Sequence, residues 1–178
     1  MAMLDRAKHE FGHYVVSRVV GFKPGAVSAE INGNTGGTAE IDTFRPIGSI
    51  VDMEKFCEDR VKVLYAGVLA ESLEDGKVNN NKALSLAADT GKGDHMMVQQ
   101  LCNILRNIRY SSDKDFGEAK MKDDERRLWQ EAAEMVEARA DLINSLAQEL
   151  YERRALHGKL AVFTAAELLA HPALQGAT

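Results

Sequence analysis

The chain has 178 residues, 45% of them hydrophobic and 28% charged, with a formal net charge of −5. That composition excludes a disordered polymer and suits one globular domain with a buried core. The acidic balance, with no basic stripe, excludes a general nucleic-acid binder. No stretch approaches the roughly 18–20 apolar residues needed to span a bilayer. Asp5, Arg6, Lys8 and Glu10 stand where a signal peptide would need an apolar run. Cys57 and Cys102 fit no metal-ligand spacing and sit in apolar helical contexts. Both read as buried free thiols, which suits a soluble, cytoplasmic protein.

Residues 4–20 read as the first helix, because Ala7, Phe11, Val15 and Val19 recur at helical spacing. Gly21 is its stop, and Pro24-Gly25 reads as turn chemistry. This helix carries His9-Glu10-Phe11-Gly12-His13. Residues four apart share a helix face, so His9 and His13 can aim two imidazoles at one point, as two zinc ligands require. Glu10 is offset around the helix, where it can take a proton from a metal-bound water without being a ligand. This is the H-E-x-x-H pattern with its mechanism attached. Gly12 costs about 1 kcal/mol against alanine inside a helix. Close approach of another backbone would explain it; simple tolerance would serve equally well.

Residues 26–31 and 38–42 read as strands joined by a glycine-rich loop at 32–37, a hairpin whose edge could take an extended substrate by main-chain hydrogen bonds. Residues 44–50 read as a loop. A long helix is expected over 52–74, with Phe56, Val63, Leu64, Val68 and Leu69 on its apolar face. Within it, Ala66-Gly67-Val68-Leu69-Ala70-Glu71 offers small residues for close packing against the first helix. Glu71 is a candidate for the metal shell, and a solvated glutamate on periodicity alone. Residues 75–81 are polar turn material, and 83–88 form a short helical or irregular run. Asp94 precedes an apolar helix over 96–108, where a cap belongs. It could instead face inward as a third ligand, but the pattern alone favours the cap. After a polar linker at 110–117, residues 119–157 read as one long charged helix ended by Gly158, with Val136, Leu142, Ile143, Leu146, Leu150 and Tyr151 as its apolar stripe. A short helix over 164–170 closes the chain, with Thr164 and Glu167 forming a capping box and Pro172 ending it.

Three blocks in this order resemble the peptidase domain of the FtsH family, the membrane-anchored AAA proteases. Lys8-His9-Glu10-Phe11-Gly12-His13 is like that family's HEAGH helix, and Ala66-Gly67-Val68-Leu69-Ala70-Glu71 is similar to its AGRxAE helix. Gly91-Lys92-Gly93-Asp94 with Met96-Met97-Val98 resembles its GAxxD segment and the helix after it. Residues 139–160 resemble the family's closing helix and its L-x-G turn. The resemblance implies a mainly α-helical fold with a small β-hairpin or sheet beside the active-site helix. It implies one metallopeptidase-like domain over 1–178, with a metal-site part at 1–109 and a C-terminal helical part at 118–178. It also implies Zn2+ held by His9, His13 and Asp94, with Glu10 as general base and a water in the fourth position. Asp89 and Glu71 are the alternatives for the third ligand, and Glu71 suits better a role orienting a histidine. His95, His157 and His171 read as incidental or surface residues.

Departures accompany the likeness. Val68 stands where the family has arginine, and no Gly-x-x-x-x-Gly-Lys-Ser/Thr phosphate loop occurs. The chain therefore reads as a stand-alone relative or an excised domain, working without ATP on peptides or unfolded segments, or on chains delivered by a separate ATPase or adaptor. The family assembles as hexameric rings, so a homo-oligomer is an open expectation. The leading expectation is a zinc-dependent endopeptidase. The alternatives are a catalytically limited binding or regulatory module that captures peptides or a partner protein, and a zinc hydrolase of a non-peptide amide.

Overall fold

The computed structural model describes residues 3–30, 36–113, 116–153 and 160–175. Seven helices and five strands among these residues give a mainly helical protein with a small antiparallel sheet. The first helix, α1 (Met3–Val19), is buried from His9 to Ser17. It packs against α2 (Ile50–Glu71), α6 (Ala140–Glu152) and β1 (Lys23–Glu30). A helix covered on several sides loses the clean two-faced pattern of a surface helix. Gly12 is where it meets α2: a Cβ there would lie 2.3 Å from the Ala66 carbonyl oxygen and 2.6 Å from the Ala70 Cβ. Backbone approach, rather than tolerance, accounts for this glycine. Gly21, at φ +85, ends the helix as expected.

The sheet runs β2 (Gly37–Asp42), β1, β5 (Leu160–Phe163), antiparallel throughout. The expected hairpin is present, although most of its loop (31–35) and the Gly158 helix stop lie outside the described residues, as does His157. Pro24 and Gly25 belong to β1 and not to a turn. There β1 pairs with β2 alone, and the register shifts between Pro24 and Val27. A one-sided pairing and a bulge are the places where a sheet accepts proline. Strand β5 is an addition to the expected elements. Its Phe163 ring meets Phe11 of α1 edge-to-face at 5.9 Å, which closes the sheet over the first helix.

The second helix starts earlier and ends earlier than its apolar pattern suggests. Ser49 caps it by accepting from the Asp52 N–H. It stops at Glu71 because Leu73–Glu74 (β3) pairs with Lys77–Val78 (β4) around Asp75 and Gly76. Both turn residues have positive φ, 50° and 78°, as a tight hairpin requires. Helix α3 (Asn80–Ala88) is capped by Asn79. In α4 (Lys92–Arg109) the N-cap position is Gly91, so Asp94 lies inside the first turn and is not the cap.

The single helix expected over 119–157 is two, α5 (Gly117–Glu137) and α6. Arg139 leaves helical geometry between them, at φ −128 and ψ 19. The buried residues Val136 and Ile143 stay in phase across the break, and no glycine or proline marks it. The helices separate because α5 covers α2 while α6 covers α1. The short α7 (Ala165–Ala170) has the expected Thr164–Glu167 capping box. His171, expected on the surface, is largely covered: it pairs with Glu149 at 3.0 Å and meets the Phe163 ring edge-on at 6.0 Å. Cys57 and Cys102 are buried free thiols. Among the described residues no helix is long and apolar enough to cross a membrane.

Asp59 is one of the charged groups buried in this frame. On α2, it accepts from Arg45 at 2.6 Å and Lys55 at 2.9 Å, with Lys62 at 3.2 Å. Burial works against its charge, but these three cations hold the carboxyl below its usual value of 3.8. Its contribution is therefore present above pH 3.8 and is lost as acid protonates it in the fold. Asp59→Ala should lower stability by about 3 kcal/mol, since it takes the shared carboxylate from the covered Arg45 and Lys62 and leaves them only the Val20 carbonyl and Glu131. Urea denaturation at neutral pH measures this, and the difference from wild type should shrink in acid.

Candidate metal centre

His9, Glu10 and His13 all lie in the buried stretch of α1. The His9 and His13 rings are one turn apart, their centroids 4.7 Å from each other at 81°. Facing them is Gly67 of α2. A Cβ at Gly67 would sit 2.6 Å from both His13 Nε2 and His9 Nε2, so any side chain would displace the imidazoles. From the first turn of α4, the Asp94 Oδ2 lies 3.2 Å from His9 Nε2 and 3.3 Å from His13 Nε2. The three donors fall within 4.8 Å of one another and form a group able to hold a metal ion.

Their separations can be tested against zinc. Ligand bonds of about 2.0–2.1 Å at tetrahedral angles put neighbouring donor atoms about 3.3 Å apart. Both imidazole–carboxylate separations match that edge. Two nitrogens and one oxygen also leave the fourth position open, as a catalytic site needs. The remaining ring nitrogens are committed elsewhere. His9 Nδ1 faces Glu71 Oε2 at 3.0 Å, and His13 Nδ1 donates to the Val63 carbonyl at 2.7 Å. Such contacts fix the tautomer and turn each Nε2 toward a metal. The donor set fits zinc.

Glu71 thus lies behind His9 and outside the donor group, with the Thr90 hydroxyl donating to it at 3.5 Å. Asp89 is exposed at the end of α3 and joins neither arrangement. His95 faces away from the centre. It contacts Gln99 at 3.2 Å and lines a separate cavity of about 910 Å³ among α3, α4 and α5.

Glu10 is 4% exposed and is not one of the three donors. Its Oε1 lies 3.4 Å from the Arg6 Nη1, one helical turn away. Gly37 of β2 presses on the same group: a Cβ there would meet Glu10 Oε1 at 2.6 Å. His9, Glu10, His13 and Asp94 open together into a cleft of about 360 Å³. One wall is β2, through Gly37, Thr38, Ala39 and Ile41; another holds Arg60 and Leu64 of α2. Among the described residues β2 pairs only with β1, so its outer edge borders the cleft unpaired.

Four contributors escape a reading of the sequence. The Val63 carbonyl carries no residue signal at all. Gly67 reads in the sequence only as a small residue for close packing against the first helix, and its clearance for the two imidazoles is what escapes. Arg6 lies four residues before Glu10, and Arg60 seven before Gly67; helical spacing would have pointed to both.

Electrostatics tie the centre together. Burial opposes a charge on His9, yet the hydrogen bonds to Asp94 and Glu71 and the field of Glu10 raise its pKa to about 9. Burial likewise opposes charge on Asp94, but the two imidazoles hold its carboxyl well below the usual range. Comparison of the sequence with protein-family models and with curated proteins finds no match.

In the metal-free protein at neutral pH, His9 therefore carries a proton that an incoming ion must expel. Zinc uptake should release that proton, and apparent affinity should rise about tenfold per pH unit until pH approaches 9, then flatten. Titration calorimetry in buffers of different ionisation enthalpy reads both effects. Glu71→Gln should weaken zinc binding roughly 10–100-fold without removing a ligand.

Proposed function

We propose that this chain is a zinc-dependent endopeptidase with a fold of the FtsH peptidase type. The observation that carries the reading is the donor triad, in which Asp94 Oδ2 stands at the tetrahedral edge length from both imidazoles, with Glu10 beside it in an open cleft and not bound up in the triad. His9, His13 and Asp94 would hold the ion, with Glu71 and the Val63 carbonyl keeping the imidazoles in register. When bound, zinc supplies a Lewis acid that activates water and polarises a carbonyl. Glu10 accepts the proton of the attacking water and returns it to the leaving amine. Arg6 holds the Glu10 carboxylate in place and balances its charge. The free edge of β2 suits a substrate bound as an added strand, its main chain hydrogen-bonded beside the reacting group. That mode accepts peptides and unfolded segments; folded proteins would need a separate ATPase or adaptor to open them.

The same free edge also favours a second reading, a module that captures peptides without cutting them. Glu10 separates the two, because strand addition has no use for a buried carboxylate beside the metal donors. Mass spectrometry of the purified protein should find one zinc per chain, lost in His13→Ala and in Asp94→Ala. Glu10→Gln should keep the zinc while peptide cleavage falls on the order of 10²–10⁴-fold. Unchanged cleavage in that variant would overturn the mechanism, and a wild type that takes up no zinc would leave the capture module in front.

A further inference from the structure

Arg60 is the cleft residue that the peptidase reading leaves without a task. On α2, Arg60, Leu64, Gly67 and Glu71 follow one another at helical spacing along the face turned to α1 and α4. Gly67 clears the imidazoles, Glu71 orients His9, and Leu64 lines the cleft. Arg60 continues this face into the same cleft. Every other arginine in the two walls' ion-pair networks has a carboxylate. Arg6 has Glu10, Arg45 has Asp59, and Arg109 has Glu54, Glu58 and Asp124. Among the described residues Arg60 has no hydrogen bond and no ion pair; it senses the field of Asp94 without contact, and burial works against its charge.

A half-buried guanidinium without a partner is desolvated at a cost that a bound anion would offset. Asp94 acts on Arg60 only through its field: no hydrogen bond or ion pair joins them among the described residues, and its Oδ2 is turned to the two imidazoles. We infer that Arg60 is a carboxylate anchor, so that the preferred substrate of this cleft is a peptide presenting a carboxylate near the bond to be cut. The inference rests on the peptidase reading for the bond and on Arg60 alone for the carboxylate. Seven residues of helix put Arg60 about 10 Å along the axis from Gly67 and the imidazoles. An extended peptide advances about 3.3 Å per residue, so the carboxylate would lie two or three residues from the scissile bond. An acidic side chain and a free C-terminus present the same planar group there, and either fits the fork of an arginine.

The test is binding to the Glu10→Gln protein, in which the peptide stays intact. Three fluorescent peptides share one sequence. One is neutral with an amidated end, one carries an internal glutamate, and one ends in a free carboxylate at the same position. Anisotropy is read with zinc present and again after chelation. The expected result is roughly tenfold tighter binding of one carboxylate peptide over the neutral one, in both conditions. Arg60→Met should abolish that preference, so that the carboxylate peptides bind this variant no more tightly than the neutral peptide does. Arg60→Lys should retain part of it, having the charge but not the fork. Which of the two peptides wins identifies the source of the carboxylate. Equal binding of all three, or a preference that survives Arg60→Met, overturns the inference. A preference that disappears on chelation also overturns it, because the carboxylate is then held by zinc. Failure of the peptidase reading is seen separately, as absent zinc or unaffected cleavage in Glu10→Gln, and leaves an Arg60-dependent preference in chelated protein standing.

Discussion

The structure depends on how closely α1 can approach α2. At Gly12 the first helix presses its backbone onto the Ala66 carbonyl, and at Gly67 the second makes room for two imidazoles. The contacts are reciprocal: each helix has a glycine where the other brings its bulk. A methyl group at either site would push the helices apart, by way of backbone at Gly12 and of the metal donors at Gly67. Small residues in a helix carry a propensity cost of about 1 kcal/mol each as glycine, and here that cost secures the geometry of the site. The sheet follows from the same constraint. Once α1 is enclosed by α2 and α6, its remaining side takes Phe163 and the β1 strand.

Burial of the donors makes the site directional. Two histidines and two glutamates buried in one small region would be costly if left unpaired. Each has a partner that also orients it. Glu71 takes His9 Nδ1, Val63 takes His13 Nδ1, and Arg6 takes Glu10. What remains uncommitted is Nε2 of each ring, and both meet at Asp94. The polar groups that partner the buried side chains thus leave, among the described residues, one group of donors able to hold a cation.

Much of this was legible in the residues, and the exceptions have physical causes. The i, i+4 histidines, Glu10 between them and the capping box at Thr164 are local patterns, and local patterns survive folding. The reason for Gly12 needed a second helix to become visible. On pattern alone Asp94 reads as a cap, because a lone aspartate before an apolar run has that meaning locally; only the family resemblance makes it a ligand. Its proximity to His9 exists only after α4 packs on α2, 85 residues later in the chain. The break at Arg139 had no glycine or proline to announce it, because α5 and α6 part company over which helix each covers. Strand β5 is four residues long, and it is a strand because β1 has a free edge for it.

The charges around the cleft give its chemistry an asymmetry that the triad alone lacks. Glu10 pairs with Arg6 across 3.4 Å, one helical turn away on α1. Asp94 is occupied by the imidazoles, and a divalent ion there would leave the triad with a net positive charge. Arg60, on the α2 wall, adds a further cation that makes no ion pair among the described residues. On the proposed reading, a loaded site and Arg60 would favour a bound chain that brings negative charge, and the unpaired edge of β2 would read only the backbone of that chain. Main-chain pairing is indifferent to sequence, so on that reading any discrimination among peptides would come from side-chain contacts such as the one proposed for Arg60.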